Sequence, residues 1–240
     1  MKTPRVRQLA GPAAIAAALR AGEDVRLLLV QEDARHEDAA PLVARAEERG
    51  IRVRTATRNV IERLCNVHPA EEILALVGRD PDANLADSLA RNGAFWLLVG
   101  VAYPGNVGMV VRTAEVSGAD AIAVDGDFDH EARRTALRAS MRADRFMPVF
   151  WTSAKEVLAA ARATAHRIVA LDESGDCTPW QFDLSGPRIF VVGGENGGIP
   201  PEVLAHCDAR IRVPMAGFIP CYNLQAAVSA IATERLRQTS

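Results

Sequence analysis

Residues 191–203 read VVGGENGGIPPEV, an apolar pair followed by Gly193, Gly194, Gly197 and Gly198 around Glu195. Glycine packs no side chain and costs conformational entropy, so such a cluster marks backbone that turns sharply or comes close to a ligand. The run RIFVVG (188–193) has the length and composition of a strand, which places the glycines at a strand's carboxyl end. Further strand-like runs lie at 94–101 (AFWLLVGV), 120–126 (DAIAVDG), 146–151 (FMPVFW), 167–172 (RIVALD) and 210–214 (RIRVP). Helical patterns fall among them at 107–118, near 130–143, at 154–165 and at the end of the chain. This alternation predicts an α/β fold with a mostly parallel sheet covered on both faces. Ligands on such sheets bind at the carboxyl ends of strands, where the 191–203 loop and a second loop, AYPGN (102–106), both fall.

The first part of the chain repeats the alternation on a smaller scale. PAAIAAALRAG (12–22) reads as a helix with Pro12 in its first turn and Gly22 at its end. VRLLLVQ (25–31), IRVRTA (51–56) and ILALVG (73–78) read as strands, and 40–50 and 58–67 as helices. The polar, turn-rich stretch RDPDANLADSLARNG (79–93) reads as a linker, dividing the chain into domains at 1–85 and 86–240. The formal charge of −2 gives no global attraction to nucleic acid, so any basic surface is local. Cys65, Cys177, Cys207 and Cys221 are far apart without CxxC pairing, so neither a zinc site nor a disulfide framework is expected. With no apolar run of signal-peptide or transmembrane length, the expectation is a cytoplasmic protein with reduced thiols, no membrane contact and no metal.

Two nucleotide-binding patterns are excluded by spacing. The stretch GNVG after the strand at 94–101 lacks the third glycine of a dinucleotide fingerprint. VGGENGGIP is not followed by Lys-Ser or Lys-Thr, which disfavours a phosphate-binding loop and nucleotide hydrolysis. Taken singly, the remaining polar residues have ordinary readings: Asn106 as a helix cap, Arg112 as a surface arginine, Glu195 as a turn carboxylate, Asn223 as the cap of the last helix. Their joint occurrence points elsewhere.

Three stretches in order resemble the SPOUT class of RNA methyltransferases, in particular its TrmH/SpoU branch of 2′-O-ribose methyltransferases. They are Asn106 and Arg112 in NVGMVVRTAE; Gly193 and Glu195 in VVGGENGGI; and Val213, Pro214 and Met215 followed by Asn223 in VPMAGFIPCYNLQ. The resemblance covers about 94–237, and 7–77 look like the small RNA-binding domain, similar to a ribosomal-protein fold, that precedes it in the family. It implies a parallel-sheet methyltransferase domain with a C-terminal trefoil knot. It also implies S-adenosylmethionine as cofactor, held by Gly193, Gly194, Gly198, Val213, Met215, Tyr222 and Asn223, and a ribose 2′-hydroxyl of ribosomal or transfer RNA as substrate. Asn106, Arg112, Glu195 and Asn223 would be catalytic, with Glu195 orienting Arg112 by a charged hydrogen bond. Six helical residues leave two side chains about 120° apart, so Asn106 and Arg112 converge only if Asn106 lies in the loop or cap.

The chain departs from the family at Tyr222, at Gln225 and at Arg142, where many relatives have glycine. The basic run HEARRTALRASMRADR offers Arg133, Arg134, Arg138, Ser140, Arg142 and Arg145 to RNA, and Arg5, Arg7, Arg52, Arg54 and Arg58 offer a second basic face. The apolar start of the last helix, LQAAVSAIA, predicts a homodimer. The alternatives are a catalytically inactive RNA-binding protein of the same fold and a base methyltransferase of another SPOUT branch.

Overall fold

The computed structural model describes residues 6–195, 197–219 and 221–239. Contacts divide the chain into two units, Met1–Asp80 and Pro81–Ser240.

In the first unit, strands β1 (Arg7–Ala10), β2 (Val25–Gln31), β3 (Arg52–Ala56) and β4 (Ile73–Val77) form a sheet in the order β1-β4-β2-β3. Only β2 and β3 pair in parallel; β4 runs antiparallel to both its neighbours. Helices α1 (Pro12–Arg20), α2 (Ala39–Glu48) and α3 (Arg58–Leu64) accompany it. All five residues of β4 are buried, and Ile15 and Leu19 of α1 and Leu42 and Ala46 of α2 close over Leu28, Val30 and Ile73. The sequence reading missed β1, whose RQLA buries Leu9 alone.

The second unit starts earlier than 86. The supposed linker contains helix α4 (Leu85–Ala90), whose first turn is capped by the Asn84 side chain accepting from the Asp87 N–H at 2.8 Å. Its Leu89 packs with the core residues Val157 and Leu158, so polar composition here marks a helix with one buried edge rather than free chain.

Strands β5 (Ala94–Val99), β6 (Ala121–Asp125), β7 (Val149–Trp151), β8 (Arg167–Leu171), β9 (Arg188–Gly193) and β10 (Ala209–Ile211) form the expected sheet, in the order β10-β8-β9-β5-β6-β7, with every pair parallel. Helices α5 (Pro104–Val116), α6 (His130–Ala139), α7 (Ala154–Ala161), α8 (Pro201–Leu204) and α9 (Leu224–Thr239) complete it. Alternate residues of β5 serve opposite cores: Trp96 and Leu98 join Val110, Phe190, Val228 and Ile231, while Phe95 and Leu97 join Val157, Val191 and Val203. Burial on both faces explains why the strand reads as an unbroken apolar run, each large side chain contributing about 1.5–3 kcal/mol.

The far end of α9 is fastened to the 179–186 loop. Gln238 Nε2 donates to the carbonyls of Pro179 and Phe182 at 3.3 and 3.1 Å, its Oε1 accepts from the Leu184 N–H at 2.8 Å, and Arg235 donates to the carbonyls of Leu184 and Gly186. Burial pulls the Arg235 guanidinium down to about 10. After β5 the chain winds outward through β6 and β7, then returns on the far side so that β9 lies against β5. Their carboxyl ends are neighbours from which the chain departs in opposite directions, the switch point at which such sheets open a crevice.

Candidate active site

Three loops meet at that end of the sheet. The first leaves β5 through Gly100 and enters α5. The second leaves β9 at Gly193. The third runs from β10 through 212–223 into α9. The second is tied to the first by the Gly194 N–H donating to the Val99 carbonyl at 2.8 Å, and it turns back on itself through the Gly198 N–H and Gly194 carbonyl at 3.1 Å. Gly198 holds φ at +63°, a left-handed value that favours glycine.

The glycines divide into two kinds. A Cβ on Gly194 would stand 1.9 Å from the Gly100 carbonyl oxygen, and one on Gly193 would stand 2.1 Å from the Gly198 carbonyl carbon. These two are required because backbone crosses backbone on the side where a Cβ would stand. At Gly197 and Gly198 an added Cβ meets nothing within 4 Å, so the open face of the turn lies there.

Asn106 is the third residue of α5, whose cap is Tyr103, so it is neither in a loop nor a cap. Its side-chain Nδ2 donates to Glu195 Oε1 at 2.5 Å, and its Oδ1 accepts from Asn223 Nδ2 at 3.4 Å. Asn223 also caps α9, its Oδ1 accepting from the Gln225 N–H at 2.9 Å. Gln225, one of the departures, donates to Ser229 Oγ at 2.8 Å, and Ser229 lies 3.5 Å from Thr113 Oγ1 on α5. The Glu195–Asn106–Asn223 chain thus links the second and third loops to the start of α5, with a carboxylate at its end, where a hydrogen bond gains from charge. Tyr222 closes the third loop by donating to the Pro214 carbonyl at 3.1 Å; Val213 packs against the core, while Met215 and Tyr222 face outward.

Arg112 is not brought to this chain. It lies six residues after Asn106 on a continuous helix, so their side chains leave α5 about 120° apart. Glu195 therefore holds Asn106 and not Arg112. Arg112 is exposed and makes no side-chain hydrogen bond or ion pair among the described residues. On its face of α5 stand Met109 and Val116, 55% and 73% exposed. The large side chains of the α9 start, Leu224, Val228 and Ile231, are buried within the unit and expose only Ala226, Ala230 and Thr233 between them. Beside Arg112 the exposed large apolar side chains are thus Met109 and Val116 of α5, not those of the LQAAVSAIA start of α9.

Helix α6 is capped by Asp129 accepting from the Ala132 N–H at 2.7 Å and exposes Arg133, Arg134 and Arg138. Arg133 is partly committed, donating to the Phe128 carbonyl at 2.9 Å and stacking over Trp151. Arg142 and Arg145 are half-buried just beyond. Ser140 has no surface to offer RNA: it is 1% exposed, and its hydroxyl donates to the Leu137 carbonyl and accepts from the Ala143 N–H. On the first unit, Arg7, Arg52 and Arg58 pair with Glu23, Asp80 and Glu62, which weakens the second basic face; Arg5 lies outside the described residues. Burial pushes the Cys207 thiol up to about 11, and the four cysteines are free. Among the described residues no cluster of metal ligands exists and no helix is long and apolar enough to cross a membrane.

Comparison with known proteins agrees with this architecture. The family described as SpoU rRNA Methylase matches residues 94–233, and one described as RNA 2′-O ribose methyltransferase substrate binding matches residues 9–80. The 23S rRNA (guanosine-2′-O-)-methyltransferase RlmB of Escherichia coli strain K12 is 28% identical over 224 residues, covering 91% of each chain. That of Photorhabdus laumondii is 29% identical over 223 residues, covering 90% of each. Among solved structures, the SpoU methyltransferase AviRb from Streptomyces viridochromogenes is 25% identical, covers 98% of this chain and 90% of its own, and superposes with a TM-score of 0.59. The same enzyme in complex with AdoMet gives 25% identity over 97% of this chain and 90% of its own, with a TM-score of 0.59.

Proposed function

Because the chain belongs to the SpoU rRNA Methylase family, we propose that it transfers a methyl group from S-adenosylmethionine to a ribose 2′-hydroxyl of ribosomal or transfer RNA. The observation that carries this reading is the Glu195–Asn106–Asn223 chain across the strand-end loops at the switch point of the sheet. The open face at Gly197 and Gly198 fits a cofactor held by backbone groups, with Met215, Tyr222 and Asn223 on the opposite loop. When bound, S-adenosylmethionine supplies an electrophilic methyl carbon on a sulfonium.

The chain's own residues then have to place the ribose, hold its phosphate and receive a proton. Positioning alone can supply about 7–11 kcal/mol of barrier reduction in favourable cases. Asn106 and Asn223 are neutral amides, so within the linked trio only the Glu195 carboxylate can accept the hydroxyl proton. The Arg112 guanidinium serves as a charged, planar donor for a phosphate. Since it points away from the trio of its own chain, we place it at a two-fold interface in a homodimer, where a second copy of α5 brings its guanidinium to the site. Met109 and Val116 beside Arg112, and the small residues Ala226, Ala230 and Thr233 on α9, supply an apolar surface for that interface.

Exposed Arg134 and Arg138, with Arg142 and Arg145, form the RNA-facing surface of the second unit, and the first unit supplies further RNA contacts. The trefoil knot implied by the resemblance and a cytoplasmic location belong to the same proposal. Labelled methyl transfer into RNA transcripts, followed by alkaline hydrolysis, tests the reaction. A 2′-O-methyl group removes the nucleophile for strand cleavage, so the label should appear in alkali-resistant dinucleotides. Label in mononucleotides would mean base methylation, and cofactor binding without incorporation would mean an RNA binder.

A further inference from the structure

Three non-glycine residues hold positive φ among the described residues: Asn92, Met141 at +56° and Arg142 at +63°. Asparagine tolerates this region; methionine and arginine are strained there, and here they are consecutive. The pair ends α6, with the Met141 N–H donating to the Arg138 carbonyl and the Arg142 N–H to the Leu137 carbonyl, both at 3.1 Å. Glycine would make the same turn without strain.

The turn is clamped to the helix that carries Asn106 and Arg112. A Cβ on Gly108 would stand 2.3 Å from the Ala136 carbonyl oxygen, 2.6 Å from Ala139 Cβ and 3.0 Å from the Ser140 nitrogen, so α5 and the end of α6 touch backbone to backbone. Gly108 is two residues from Asn106 and one turn before Arg112 on the same face of α5. Helical side chains lean toward the N-terminus, so Arg112 leans toward this contact. Beside it, Met141 is 67% exposed, and the Arg142 side chain makes no hydrogen bond or ion pair among the described residues. Its acidic neighbour Asp144 is half-buried, with Oδ1 lacking a hydrogen-bond partner.

We infer that Met141 and Arg142 position the RNA substrate, Met141 packing against the face of an unstacked base at the target nucleotide and Arg142 holding an adjacent phosphate. This rests on the ribose-methylation reading above. A ribose hydroxyl reaches a protein site most readily in a single-stranded or splayed segment, whose bases then need a face to lie on. A long, polarizable side chain on a strained but clamped turn supplies such a face without moving when the RNA arrives.

Asparagine variants separate this role from folding, because asparagine keeps the left-handed backbone and removes the side chain in question. Met141→Asn and Arg142→Asn should unfold at temperatures no lower than the wild type and bind S-adenosylhomocysteine unchanged by calorimetry. Each should raise KM for a 23S ribosomal or transfer RNA transcript, and weaken its binding by fluorescence anisotropy, about tenfold, with a smaller change in kcat. Met141→Leu and Arg142→Lys should recover most of the loss. Unchanged RNA affinity and KM in the asparagine variants would overturn the inference, as would a lowered unfolding temperature in Arg142→Asn, which would assign Arg142 to neutralising Asp144. If the wild type itself transfers no methyl group to either transcript while binding S-adenosylhomocysteine, the functional reading fails first and this inference with it.

Discussion

The bond between Asn106 and Glu195 can be tested as a coupling. A hydrogen bond to a charged group contributes about 1.5–3 kcal/mol when shielded from water. Asn106 is half-buried and Glu195 exposed, so solvent reduces this to about 1 kcal/mol, a factor of about five in affinity. Cofactor binding is the right readout, because the bond ties the loop after β9 to the start of α5, and losing it adds an ordering cost to binding. Asn106→Ala and Glu195→Ala should each weaken S-adenosylhomocysteine about fivefold by calorimetry. The double variant should be little worse than either, because each single change already breaks the same bond. A second cycle on Arg112→Ala and Glu195→Ala should show no coupling in cofactor affinity, since those side chains leave the site in different directions. Independent losses multiplying to about 25-fold in the first cycle, or coupling of about 1 kcal/mol in the second, would refute the arrangement and restore Arg112 as the partner of Glu195.

Arg112→Ala should bind S-adenosylhomocysteine like the wild type yet lose methyl transfer at least about 100-fold; a parallel loss of cofactor affinity would put Arg112 in the cofactor pocket instead. Gly194→Ala forces a methyl group into the Gly100 carbonyl and should cost about 3 kcal/mol, lowering the thermal midpoint by about 6–12 °C, whereas Gly198→Ala meets only the strain of its positive φ, about 1–2 kcal/mol. Equal midpoints would show that the strand ends do not cross so closely. Light scattering should give twice the 25.8 kDa chain mass, and Met109→Glu with Val116→Glu should give a folded monomer without activity; a wild-type mass of one chain would remove the shared site. Burial holds His166 below its usual range, so the unfolded chain takes up a proton that the folded imidazole refuses. Stability should therefore be fully present above about pH 6.5 and decline as pH falls through the lowered folded value, a slope that His166→Gln should flatten in denaturant titrations.

What was legible in the sequence follows from which forces act locally. β5 and β9 are buried on both faces, so their apolar runs announce a parallel sheet by themselves. Helix α4 was hidden because its cap, Asn84, and its turn-like neighbours carry the same residues as a linker, and only its packing on the far side of the sheet separates the two. The members of the site were legible as a motif, but their pairing was not. Pro104-Gly105 reads as loop, which would let Asn106 and Arg112 converge; in the fold Pro104 occupies the first helical turn, where its missing N–H costs nothing, and the helix already includes Asn106.

The glycines show the same limit from another side. Gly193 and Gly194 look like space for a ligand when only the neighbouring residues are known. They are needed because β9 lies against β5, and that neighbour is set by a chain reversal between β7 and β8 that no window of residues around 193 contains. The left-handed pair at 141 and 142 carries no glycine to announce it, so the backbone there is set by the α5–α6 contact at Gly108 and not by its own residues. Strain imposed from outside a segment is where local reading fails and where a side chain kept despite the strain is best sought for a role. Comparing Arg142→Gly with Arg142→Asn makes that argument measurable: both remove the guanidinium, and glycine relieves the strain at 142 more fully than asparagine, so stability should rise from Asn to Gly while RNA affinity stays equally low. Recovery of RNA affinity with glycine would mean that the shape of the turn, and not the side chain on it, is what the RNA meets.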